Sequence, residues 1–105
     1  MKQSPSYLES SGRAFWLAAQ REYEITDQHD LTRLEHAAHA LDRIDQARAE
    51  IETEGMFFVD RFGQPKAHPG EKVERDNKLL FCRLVRELGL GQFVTSDGPR
   101  IPRQY

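Results

Sequence analysis

At 105 residues the chain has room for one domain, since two independent cores would not fit. Charged residues make up 30% and hydrophobic ones 38%, and no stretch approaches the roughly 20 apolar residues a membrane helix needs, which excludes a spanning segment. Fifteen Lys and Arg face 17 Asp and Glu, so the overall basic excess of a dedicated nucleic-acid binder is missing; any DNA contact falls to a local patch or to several copies acting together.

Residues 1–10 read as a polar lead-in containing Pro5. Ser10 and Ser11 are plausible N-caps for a first helix over about 11–24. Within it Phe15, Ala18 or Ala19, and Glu22 or Tyr23 recur at helical spacing, widened by Trp16, Leu17 and Ile25. A second helix starts at Thr26 or Asp27 and continues to Gly55, where a glycine would close it in the left-handed conformation. Leu31, Leu34, Ala38 and Leu41 follow 3-4-3 spacing, and Ile44, Ala47 and Ile51 continue the stripe. Some 27 residues make a rod of roughly 40 Å. A compact domain of this size is little more than ~30 Å across, so the rod spans or overshoots it. Alanines 37, 38, 40, 47 and 49 permit close helix approach.

The period then changes. In "MFFVDRFGQPKAHP", Phe57 and Val59 fall on one face and Met56 and Phe58 on the other, with Gly63 at a turn position. A hairpin is expected with strands near 56–60 and 65–68, Pro65 taking an edge or non-bonding position. A third helix over 70–89 aligns Val73, Asn77, Leu80 or Phe81, Leu84 and Leu88, with Gly89 as cap and Leu90 making the accompanying apolar contact. The tail from 90 to 105 carries three turn signals and reads as mostly irregular. The predicted fold is mainly α: three helices, one long and central, with a short β-hairpin between the second and third.

Catalytic chemistry is hard to assemble from these residues. His29, His36 and His39 lie on nearly one face of the second helix, but no Cys or carboxylate completes a metal set, so they read as solvated surface. Cys82 sits inside "LLFCRLV", an ordinary setting for a small buried thiol, and a pairing with His68 has no motif behind it. A lone cysteine excludes an internal disulfide and suits a reducing compartment. Carboxylate pairs such as Glu22/Glu24 and Glu50/Glu54 match plain helix surface. Gly89 and Gly91 follow a helix, the wrong polarity for cradling phosphate. No enzyme, cofactor or metal is expected. For phosphate contact the candidates by charge and position are Lys2, Arg13, Arg21, Arg100 and Arg103.

Taken in order, "PSYLESSGRAFWLAAQREYEI", "DLTRLEHAAHALDRIDQARAEIETEG", a hairpin with "GQPKAHP", and "LLFCRLVRELGLG" resemble the P27 family of phage terminase small subunits. Pro5, Leu8, Trp16, Asp30, Leu31, Leu41, Asp42, Gly55, His68, Pro69 and the run Glu87 to Leu90 carry the likeness, over about residues 5–91. The resemblance implies a non-enzymatic part of a viral DNA-packaging motor, acting in the cytoplasm of a bacterial host cell. Such subunits form homo-oligomeric rings, engage double-stranded viral DNA and regulate the large terminase subunit, which holds the ATPase and nuclease. An overlong second helix suits intersubunit packing, with Trp16, Leu31, Leu34, Ala38 and Leu41 as the expected oligomer interface. The rival reading is an oligomeric phage or prophage adaptor without DNA contact. A helix-turn-helix regulator ranks last, because the second helix is too long and lacks the tight turn.

Overall fold

The computed structural model describes residues 3–90. In chain order they form α1 (Ser10–Tyr23), α2 (Gln28–Glu54), β1 (Phe57–Val59), β2 (Pro65–Ala67) and α3 (Pro69–Leu88). The molecule is mainly helical, with a long central helix and an antiparallel hairpin between helices two and three. Its principal extents are 52 × 39 × 20 Å. The central helix α2 packs against both α1 and α3.

Neither serine caps α1. The N-cap position falls on Glu9, whose own side chain makes no capping bond. A carboxylate from α2 does that work instead: Asp42 accepts from the Glu9 N–H at 2.7 Å and the Gly12 N–H at 2.8 Å. Ser11 donates its hydroxyl to Asp45. Such close approach requires Gly12, because a Cβ there would stand 2.6 Å from the Ala38 carbonyl oxygen. The small-residue spacing of α2 thus works inside the chain. At its far end α1 stops at Glu24, held in the left-handed region at φ 48° with its N–H on the Gln20 carbonyl.

Asp27 caps α2, accepting from the His29 N–H at 2.9 Å. Gly55 ends the helix as expected, but at φ 91° and ψ 153°, a positive-φ extended conformation and not the left-handed helical one. That geometry sends the chain straight into β1. At α3, Pro69 takes the first helical position and His68 caps it. Gly89 closes it left-handed at φ 77°, and the Leu90 N–H reaches back to the Val85 carbonyl, seating Leu90 in the core.

The core gathers Leu8, Phe15, Trp16 and Ala19 from the N-terminal segment and α1, Leu31, Leu34, Ala37 and Ala38 from α2, and Leu84, Val85 and Leu90 from the end of α3. Phe15 and Phe81 meet edge to face at 5.1 Å, bringing α1 against α3. This placement corrects the oligomer-interface expectation. Trp16, Leu31, Leu34 and Ala38 are buried by the chain's own helices, and Leu41 packs half-buried against them. Apolar groups already removed from water by one chain offer nothing to a second. Leu17, assigned to the same stripe, points outward at 40% exposure.

Toward the hairpin the packing thins. Ile44 and Ala47 are buried on α2, facing Gly70 at the start of α3, where a Cβ would meet the Ala47 carbonyl at 3.3 Å. In the hairpin, Phe57 pairs with Ala67 and Val59 with Pro65. Pro65 costs no ladder bond to a third strand, because the sheet has only two. Both strands are exposed along their whole length. No helix among the described residues is long and apolar enough to cross a membrane.

Candidate nucleic-acid face and assembly surface

Placing the five basic candidates is straightforward. Lys2, Arg100 and Arg103 lie outside the described residues. Arg13 donates to the Leu8 carbonyl and so pins the N-terminal segment to α1. Arg21 is exposed on the last turn of α1, roughly 12 Å along the axis from Arg13. The two do not form a patch.

A better one stands on α3. Its inner side, Val73, Asn77, Leu80, Phe81 and Leu84, faces the body of the protein as the spacing predicted. The outer side presents Lys72, Arg75, Arg83 and Arg86, all exposed. At 3.6 residues per turn these four fall within an arc of about 80° and run about 21 Å along the helix. None of the four forms an ion pair among the described residues, whereas Lys78 is held by Glu74 at 2.8 Å. Leu79 sits mid-line at 65% exposure. Asp76 lies about 60° from the midline on one side and Glu71 about 80° on the other, and Glu87, about 80° round, is engaged by Arg33 at 3.6 Å. The stripe therefore carries a local excess of about two positive charges on a chain whose net charge is −2.

Composition hid this stripe. The signal that would have found it is cation spacing at i, i+3, i+11 and i+14, read with the same 3.6 period as the apolar face. Glu74 bridges Arg48 of α2 at 3.2 Å as well as Lys78, and its hydrogen bonds to Lys78 and then Arg48 hold its carboxyl below the usual range. That clamp fixes α3 on α2 with its cations outward.

The histidines and the thiol fall apart as a catalytic set. His68, 7% exposed, accepts from the Gly70 N–H at Nδ1 (2.8 Å) and therefore carries its proton on Nε2, which it donates to Glu54 at 2.6 Å. Cys82 lies fourteen residues along α3, about 21 Å away, so the two form no nucleophile–base pair. His39 packs edge-on to Tyr7 at 5.3 Å, and His29 and His36 are exposed. No cluster of metal-ligating side chains occurs among the described residues.

The second exposed surface is apolar. Met56, Phe57, Phe58, Val59 and Phe62 are 43 to 74% exposed on one small hairpin. At its foot, between α2 and α3, opens a cleft of about 570 Å³ walled by Ala47, Phe58 and Val73. Contiguous large apolar groups left in water mark contact sites. No known family's model matches the chain, and no curated protein or solved structure does either.

Proposed function

We propose that the protein is a self-associating, non-catalytic DNA-engaging component of the kind its resemblance to small terminase subunits implies, using the outer face of α3 on DNA. The observation that carries this reading is the line of Lys72, Arg75, Arg83 and Arg86 without anionic partners on an exposed helix. Cations in that state release counterions from DNA when they meet phosphate. Four contacts per copy give weak, salt-sensitive affinity, and a ring multiplies it by presenting the same face repeatedly. The exposed apolar hairpin supplies a means of assembly. The large terminase subunit is the partner such a ring would regulate.

The test is DNA binding by gel shift or anisotropy across a salt series. Four phosphate contacts per copy predict a log–log slope near −0.9 × 4, or about −3.6 per copy engaged. Changing Arg83 and Arg86 to Ala should make it shallower by about 1.8 per copy. Unchanged binding in that double variant would move the DNA contact off the outer face of α3, and no binding even at low salt with a defined oligomer present would turn the assignment to an adaptor that contacts only proteins.

A further inference from the structure

The hairpin tip and the cleft at its foot are complementary, yet the folded chain does not bring its own pair together. Arg61 stacks on the Phe62 ring at 5.0 Å, and Phe62 is 74% exposed, so the tip presents a guanidinium on an aromatic face. The cleft has apolar walls, Ala47, Phe58 and Val73, and a rim bearing Glu50, Glu54 and Arg43. Glu54 is engaged by His68, while Glu50 is exposed without a polar partner among the described residues. Phe62 stands in the turn beyond β1, where its N–H is held by the Asp60 carboxylate at 2.8 Å, and it is not among the residues that wall the cleft. The tip does not fill its own cleft.

An isolated two-stranded hairpin is marginal in water, and this one buries neither face. Something covers it, and the charges say what. We propose that the Arg61–Phe62 tip of one copy inserts into the α2–α3 cleft of the next, Phe62 against Ala47, Phe58 and Val73, and Arg61 against Glu50. The tip and the cleft are different surfaces, so the contact is head-to-tail, and repeating it produces a ring wherever the rotation closes. The inference rests on the proposed self-association and names its contact. Each copy gives one tip and receives one, and α3 leaves its cationic face free for DNA.

The test exchanges charge across the contact in the full chain, with mass read by light scattering behind a sizing column and helicity checked by circular dichroism. Wild type should run as one closed oligomer. R61E and E50R should each dissociate, with at least a tenfold loss in assembly affinity. Mixing the two variants should restore the assembly, because each tip then meets a cleft of opposite sign. The double variant R61E/E50R should assemble alone for the same reason. A monomeric wild type, wild-type mass in either single variant, or failure of both the mixture and the double variant to reassemble would overturn the contact. An isologous hairpin-to-hairpin pairing gives wild-type mass in E50R, since Glu50 plays no part in it. DNA binding on the same samples keeps the two ideas apart. Loss of DNA binding in normally assembled Arg83 and Arg86 variants concerns α3 alone, and a mass change in R61E concerns the hairpin alone.

Discussion

Where α1 meets α2, the chain tolerates a carboxylate at 3% exposure because both its oxygens receive backbone N–H donors. At the hairpin, phenylalanines stand in water. The first region has removed polar and apolar groups from solvent together, pairing Asp42 on both oxygens and leaving the buried Gln20 amide without a hydrogen-bond partner among the described residues, so its sequence is committed to folding. In the second, groups that ordinarily drive folding are unspent, which is the physical mark of a surface meant for something else. Substitutions should therefore separate the two: large losses of stability with intact assembly at one end, and the reverse at the other.

Asp42→Ala should give the largest effect. It removes two hydrogen bonds to a charged acceptor, each worth about 1.5–3 kcal/mol, and strands the buried Gly12 N–H. A loss of about 3–4 kcal/mol in urea unfolding is expected, with Asp42→Asn recovering part of it. A loss under about 1 kcal/mol would mean that burying the carboxylate nearly offsets what it bonds. Gly12→Ala comes next. The new Cβ would meet a backbone oxygen of Ala38, which cannot rotate away, so α1 must shift at a cost of about 1–3 kcal/mol. His68→Ala should cost about 1 kcal/mol as a lost helix cap, whereas His68→Asn keeps an acceptor for Gly70 and should lose less.

The helices, their order and the hairpin were legible because apolar period and turn residues are local signals. The third helix shows this best: Gly89 and Leu90 at its stop and its inner face stand where spacing put them, and its start falls at Pro69, one residue ahead of the expected 70. Asp42 as the cap of α1 was not legible, because the donors lie thirty and thirty-three residues earlier and only tertiary contact pairs them. The same apolar stripe that marks α2 does not say whether another helix of the chain or another chain will cover it. Trp16 and Leu34 were therefore assigned to an interface while the structure buries them at home. The cations of α3 were missed for a different reason, since total charge averages a local line of four against acids elsewhere.

Tyr7 sharpens the comparison through pH. Its hydroxyl donates to Glu35 at 2.7 Å and helps strap the N-terminal segment across α2. Partial burial first, then the bond to Glu35 and the nearby charges of Glu35 and Asp42, push the phenol from 10.0 up to about 12. A raised folded value means that the native state binds this proton more tightly than the unfolded chain does. The associated stability is whole below pH 10 and is lost as pH climbs toward 12. Because the ring is half exposed, solvent screens the interaction, and Tyr7→Phe should cost only about 0.5–1 kcal/mol at neutral pH. The variant should also lose the pH-dependent part between those limits, with tyrosinate absorbance showing the late-titrating group gone.

Phe62→Ser should have the smallest effect on the folded chain, within about 0.5 kcal/mol, because a side chain 74% exposed gives up little on truncation. For a residue of that size the result is informative: an aromatic ring in a core costs about 3–5 kcal/mol to remove. The Arg61 stack is lost with it, but at an exposed site that contact amounts to about 0.5–1 kcal/mol at most, and serine relieves the hairpin of an apolar surface in water. Thermal unfolding of a dilute sample, where the proposed assembly would come apart, isolates this value. Repeating it at high concentration brings association back in, because anything that binds the folded state alone raises its apparent stability by mass action. Wild type should then gain a concentration-dependent melting temperature that Phe62→Ser lacks. A large loss in the dilute sample would place Phe62 in the fold's own packing instead, and the contrast between the two ends of the molecule would fail at its simplest point.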